Sequence, residues 1–496
     1  MTLHPKSPTL GFASSQTQKT CCKSRADFVV CCQTHNYLWS HIVNRFLLIL
    51  IVFPLFSSAV IANESTWKAG VASVAITPDE SMWMAGYAAR TKPSEGKIHD
   101  LYAKALAVED ASGTRLIIVT TDLIGIPRGL RDWFEAEVSD KYGLAPSSLM
   151  LNASHTHCGP ELRVSKASVY GLEPDRVRQS QAYVEVLKQK LSALVGQAIE
   201  EMAPARLGYT HGRAGFAMNR RRPTETEPRN APYPDGPVDH DVPVLRVESP
   251  RGELRALMFG YACHNTTLGF QQFCGDYAGF AQHYLEEAHP NVTAMFVTGC
   301  GADQNPQPRR TLELAQQHGR ALANGVEAAL LSPPKPIKGS LAVAIEEVSL
   351  EFAEPPGKGE LERQTKSSNK YERRHAEALL RQLEETGEIR QTYPYLVQAI
   401  NFGDDLLMIA LAGEVVVDYS LRFKLELRGS PVWVAGYSND VFGYVPSLRV
   451  LQEGGYEGGG AMRYTTLPGP FAPSVEKLIV AKVHQLTEEV RSASSE

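Results

Sequence analysis

From Trp67 onward, short apolar runs alternate with amphipathic helical stretches, the pattern of a layered α/β domain. Leu101 to Val108 and Leu116 to Thr121 predict strands, the second ending at Asp122, and Ser148 to Ala153 predicts another. Gly129 to Lys141 predicts a helix between the last two, so the domain opens with a strand–helix–strand unit. Ligands of such units bind beyond the C-terminal ends of the strands. Tyr183, Leu187, Leu191, Leu194 and Ala198 recur at helical spacing and predict a packed helix over Gln179 to Glu201. Residues 213–241, rich in Pro and Arg, are expected to be loop. Val242 to Glu248, Leu254 to Ala262 and Thr293 to Val297 predict further strands, each running into a polar or glycine-bearing turn.

Residues 353–394 change texture, with Pro355-Pro356-Gly357 followed by a densely charged stretch. This predicts a solvated surface helix, with a lid over a cleft as the alternative. Leu406 to Leu411 and Val432 to Ala435 resume the strand pattern, and Val475 to Val490 predicts a closing amphipathic helix. No internal repeat or low-complexity tract interrupts the order. The expected fold class is therefore α/β, with mixed β-sheets layered with helices in one large domain over residues 63–496.

Residues 1–62 stand apart. Phe46 to Phe56 is an apolar run of 11 residues, too short to span a bilayer comfortably as a helix. Lys6, Lys19, Lys23, Arg25 and Arg45 precede it, and small residues follow at Val60-Ile61-Ala62. This predicts a secretory leader, or else an N-terminal anchor, and an exported protein in either case. Without residues 1–62, 45 Lys and Arg face 54 Asp and Glu, a net charge of −9 that argues against nucleic acid as a partner. Cys158, Cys263, Cys274 and Cys300 remain, too irregularly spaced for a structural zinc site. They are either disulfide braces or buried thiols.

The candidate chemistry lies at predicted strand ends. His155-Thr156-His157 follows the strand ending at Ala153. In an extended chain, side chains at i and i+2 share a face. Both imidazoles would then reach one centre, or one would ligate a metal while the other works as acid–base. His264 ends another strand, and Glu414 follows the apolar run Leu406 to Leu411. A carboxylate buried there needs a partner, and a metal is one. Imidazole nitrogens with a carboxylate and one open position suit zinc.

These segments together resemble the neutral/alkaline (non-lysosomal) ceramidase family. The resemblance rests on Gly70 to Ala88 (GVASVAITP…MAGYA), Ala153 to Pro160 (ASHTHCGP), Phe259 to Thr267 (FGYACHNTT) and Cys274 to Ala281 (CGDYAGFA). It continues through Leu411 to Lys424 (LAGEVVVDYSLRFK) and Ala435 to Gly459 (AGYSNDVFGYV…GGYEGG). It implies a zinc amidase with one ion per chain, held by His155, His264, Glu414 and Tyr444. It further implies His157 as the acid–base group, with Arg220 and Tyr456 as pocket residues that stabilise an oxyanion. Tyr456 follows Tyr444 by twelve positions, the interval between the family's two active-site tyrosines. The implied substrate is a lipid-like N-acyl amide, ceramide first, with a membrane surface as its source.

One segment departs from the family. Where relatives carry a Gly-Asp-Val-Ser-Pro-Asn turn with a proposed serine nucleophile, this chain reads Gly299-Cys300-Gly301-Ala302-Asp303-Gln304-Asn305-Pro306. A serine acyl-enzyme route is therefore not expected, and Asp303 or Cys300 is the candidate to fill the space. Hydrolysis of another acyl amide or an ester, and metal-stabilised binding without catalysis, are the competing expectations.

Overall fold

The computed structural model describes residues 67–494. The expected leader, including Phe46 to Phe56, lies outside the described residues. The first half of the described chain contains β1 (Trp67–Ala75), β2 (Tyr102–Glu109), β3 (Arg115–Thr121), β4 (Leu149–Ala153) and β5 (Ala203–Arg213). It continues with β6 (Ala217–Arg222), β7 (Arg229–Tyr233), β8 (Asp241–Glu248), β9 (Leu254–Tyr261), β10 (Thr293–Thr298), β11 (Gln304–Pro306) and β12 (Lys335–Ile337). The main sheet has the order β10-β9-β8-β5-β1-β2-β3-β4, with β12 pairing β5. Its outermost pairs, β3 with β4 and β9 with β10, are parallel, and the pairs between are antiparallel.

A second sheet, β13 (Leu341–Glu351), β14 (Thr392–Phe402), β15 (Leu407–Leu411) and, after β16 (Glu414–Val415), β17 (Val432–Ala435), packs face to face on the first. Trp67, Ile118, Met150 and Met258 from one sheet meet Phe402, Met408 and Trp433 from the other in a shared core. Helices cover both outer faces. Arg128–Tyr142 and Pro174–Glu200 lie on β1 to β4, Asp276–Ala288 and Leu312–Leu330 lie on the other end of that sheet, and Val475–Ala493 lies on the second sheet. The result is four layers, helix–sheet–sheet–helix.

The layering explains the continuous apolar runs. In β3, Leu116 and Ile118 face the opposite sheet while Ile117 and Val119 face helices, so neither side-chain set meets water. Pro174 starts the long helix five residues before the apolar spacing suggests. Proline at the first turn pre-sets the backbone angle, and Asp175 complements the helix N-terminus.

Two expectations change. Residues 213–241 are not wholly loop, because β6 pairs with both β7 and β11. The Arg-rich run is a strand because Arg220 and Arg221 are buried and share Glu457, at 2.7 and 2.8 Å. The charged stretch 353–394 forms helices Lys358–Gln364 and Lys370–Thr386 and then enters β14 at Thr392. Asn369 caps the second helix, and its Tyr371 hydroxyl donates to Ala88 O at 2.6 Å. Tyr371 also packs on Tyr464, with ring centroids 4.9 Å apart. The helix therefore stands beside the cleft described next.

Candidate metal centre

The two sheets converge at one end, and Asn152 on β4 fastens them. Its amide donates to Gly436 O at 2.8 Å and its oxygen accepts from Thr298 N at 2.8 Å. At this seam the chain leaves β4 into Ser154-His155-Thr156-His157. The segment is not extended as expected, since His155 has φ 59°, in the left-handed region. Such backbone is costly for a residue with a Cβ and is retained where surrounding packing dictates it. The turn, rather than a strand face, brings the His155 and His157 Nε2 atoms to 3.1 Å.

His264 enters from the end of β9. Its Nδ1 donates to Gly301 O at 2.8 Å, and His155 Nδ1 donates to Ile124 O at 2.6 Å. A carbonyl oxygen only accepts, so both rings carry their proton on Nδ1 and turn a bare Nε2 inward. The ring nitrogens of His155, His157 and His264 lie within 4.8 Å of one another.

Glu414 arrives from the second sheet. Gly413, with φ 76°, turns the chain after β15 so that β16 pairs with β18 (Tyr444–Val445), placing Glu414 directly beside Tyr444. A Cβ on Gly413 would meet Val445 at 2.7 Å, which reserves the position for glycine. Glu414 Oε2 lies 3.3 Å from His155 Nε2 and 3.4 Å from His264 Nε2, and has no hydrogen-bond partner of its own. Tyr444 Oη sits 3.2 Å from His264 Nε2 and accepts from Arg220 Nη2 at 3.0 Å. Burial pushes the Glu414 carboxyl up, but His155 and His264 outweigh it and hold it well below the usual carboxylate range. Burial and then Arg220 push the His264 imidazole down to about 3.

These donors fit a divalent cation of zinc's kind. Bare imidazole nitrogens, an orphaned carboxylate oxygen and a phenol converge on one point, and carbonyl groups fix the two ligand-like rings from behind. His157 differs, because its buried Nδ1 has no partner. Gly86 (φ 96°) presses on that ring, since a Cβ there would lie 2.4 Å from His157 Cγ.

The remaining expected residues also reach the cleft. Arg220 is fixed by Glu457, and its guanidinium lies 5.9 Å from the centre of the Tyr456 ring. Tyr456 lines the cleft and packs edge-on against Tyr444 at 5.1 Å. Tyr437 stands behind the cluster, its hydroxyl 3.3 Å from His264 Nδ1. In the departing turn, neither Asp303 nor Cys300 reaches the cluster. Asp303 accepts from Val417 N and Asn219, and Cys300 lies in the core. Asn305 instead contacts the site, accepting from Arg220 Nη1 at 3.2 Å. Cys158, Cys263, Cys274 and Cys300 are all free buried thiols.

Sequence reasoning missed Arg163, Lys166, Tyr170 and Tyr464, which line the cleft beside the histidines. They carry no local motif, and only the turns after His157 and Gly460 bring them there. Glu457 was adjacent to an expected residue, and the buried arginine pair is what reveals its role.

Residues 67–305 match the family described as neutral/alkaline non-lysosomal ceramidase, N-terminal. That span holds His155, His157, Arg220 and His264, while Glu414, Tyr444 and Tyr456 lie beyond it. The fold is similar to that of a neutral ceramidase from Pseudomonas aeruginosa, with TM-score 0.67 and 18% identity over 87% of this chain and 75% of that one. A ceramidase complexed with C2 is similar too, with TM-score 0.66 and 19% identity over 86% of this chain and 76% of that one. No curated protein sequence matches the chain. The two-sheet fold is thus that of these solved ceramidases, and residues 67–305 match the N-terminal domain of the neutral/alkaline non-lysosomal ceramidase family.

Proposed function

We propose that this protein hydrolyses a lipid N-acyl amide, ceramide first, using one zinc ion held by His155, His264, Glu414 and Tyr444. The observation that carries this reading is the convergence of two bare Nε2 atoms on an orphaned Glu414 oxygen. When bound, such a cation lowers the pKa of water and polarises a carbonyl. The chain's own residues supply the rest. With His155 committed as a ligand, His157 Nε2 is the imidazole nitrogen left to take a proton from water and return it to the departing amine. Burial and then His155 and His264 hold the His157 ring well below the usual histidine range, so it stands neutral. Arg220, locked by Glu457, and the Tyr456 hydroxyl are the donors for a developing oxyanion. Export through the Phe46 to Phe56 segment, with the lipid drawn from a membrane surface, belongs to the same reading.

A second reading, hydrolysis of another acyl amide or an ester, is favoured by the turn at Gly299 to Pro306, which has no serine. Metal analysis of the full chain with hydrolysis assays on ceramide and a panel of acyl amides tests both. The expected result is one zinc per chain and ceramide turnover that chelation abolishes and zinc restores. Turnover that survives removal of all metal would overturn the metal-dependent mechanism. Fast cleavage of another amide with none of ceramide would select the second reading.

A further inference from the structure

Lys166 lies in the segment that joins the His-Thr-His turn to the helix Pro174–Glu200. Its side chain lines the metal cleft and also the wall of an adjoining cavity of about 530 Å³. The other buried charged groups at this junction are engaged. Arg163 is held by both oxygens of Glu161, at 2.8 and 2.6 Å. Glu414 lies among the imidazoles, and Asp440 accepts from the Tyr393 hydroxyl at 2.6 Å with Arg128 at 3.6 Å. Arg390, which also lines the cavity, has no side-chain partner either but is exposed, so among the described residues Lys166 is the partly buried charged group at this junction with neither a hydrogen bond nor an ion pair.

A partly buried ammonium without a partner is costly, and a ligand that brings the opposite charge removes the cost. Burial and then Arg163 push the Lys166 pKa down to about 8, which leaves it charged at neutral pH. The group is recessed in the cleft wall, so a flat membrane surface cannot meet it, whereas a molecule already in the cleft can. Ceramide is uncharged and offers nothing to match it.

We propose that Lys166 is a specificity residue that pairs with an anionic group, a carboxylate, phosphate or sulfonate, carried by the amide this site cleaves. The proposal deepens the hydrolase reading and rests on it. Two sources share this chemistry, an N-acyl amino acid and a phosphorylated sphingoid amide, and the test separates them.

The experiment compares matched amides on the zinc-loaded full chain. One arm sets N-dodecanoylglycine against N-dodecanoylethanolamine, and the other sets a phosphorylated dodecanoyl ceramide against the unphosphorylated one. In at least one arm the anionic amide should have the higher kcat/KM by about tenfold or more, the effect of one hydrogen bond to a charged group. The favoured arm identifies the source. Lys166→Gln should bring that ratio towards one, chiefly by raising KM, and Lys166→Arg should keep it. A native ratio at or below one in both arms, or a ratio that survives Lys166→Gln, overturns the proposal. If no amide is turned over, the hydrolase reading fails, and calorimetric binding to the metal-free full chain judges Lys166 separately. There the anionic member of at least one of the two pairs should bind about tenfold more tightly than its uncharged counterpart, with Lys166→Gln abolishing the difference. Equal affinities within both pairs in the native chain would overturn the role of Lys166.

Discussion

Arg220 Nη2 donates to Tyr444 Oη at 3.0 Å, joining β6 to the tyrosine of the candidate metal cluster. Glu457 clamps the same guanidinium through Nε at 2.7 Å, so its orientation is set before any substrate arrives. Arg220→Lys keeps the charge and loses the fork. The expected outcome is a kcat lower by roughly a hundredfold to a thousandfold, the effect of removing one oriented oxyanion donor, with zinc still bound. Zinc analysis beside steady-state kinetics checks it, and an unchanged kcat would remove Arg220 from the chemistry.

The imidazoles separate by role. His264→Ala should lose zinc and activity together, because its Nε2 has no substitute. His157→Gln should keep zinc while activity falls by roughly a hundredfold to ten-thousandfold, the usual contribution of an acid–base group. Loss of zinc from the His157 variant would instead make that ring a third imidazole ligand, an arrangement the spacing of the three rings permits.

Gly86 sets the position of His157 from outside. Gly86→Ala would place a methyl group 2.4 Å from the ring in a backbone conformation with φ 96°. Activity should fall at least tenfold while zinc is retained, and stability should fall by about 1 kcal/mol or more for the left-handed backbone alone. Full activity in this variant would show that the ring yields without functional cost.

Asp303 gives stability a pH dependence of defined sign. Burial pushes its carboxyl up to about 6. The folded chain therefore holds this proton more tightly than the unfolded one. The associated stabilisation is complete below the unfolded carboxylate pKa and is lost as pH rises through about 6. Urea midpoints for the native chain and Asp303→Asn across about pH 4 to 7 test this. The variant is less stable at the acid end because it loses the acceptor for Asn219, but it should lose less further stability as pH rises. Parallel curves would refute the linkage.

The strand tips were legible because each ends an apolar run that two layers bury. His264 after β9 and Glu414 after β15 stand out as polar residues at such ends. The geometry at His155 was not legible. An extended segment and a left-handed turn both bring the two imidazoles together, and only the turn's packing against Ile124 O selects the second. The strands β6 and β7 were hidden for a related reason. Their burial depends on arginines neutralised by a glutamate far along the chain, and periodicity does not register ion pairs. Lys166 escaped notice because nothing near it in sequence distinguishes it from a surface lysine. That Glu414 and Tyr444 would share one site was expected from the resemblance, but the two-residue ladder that joins them is too short to leave a pattern.

The division of the cluster between the two sheets bears on how the protein matures. The histidines belong to the first sheet's connections, and the carboxylate and phenol belong to segments synthesised much later. A nascent chain holding only the earlier half lacks the anionic ligands and has the weaker claim on a cation. If the cluster binds zinc as proposed, full affinity would arise only when both sheets have closed, so metal capture would report completed folding, and a chain that fails to close its second sheet would be released metal-poor.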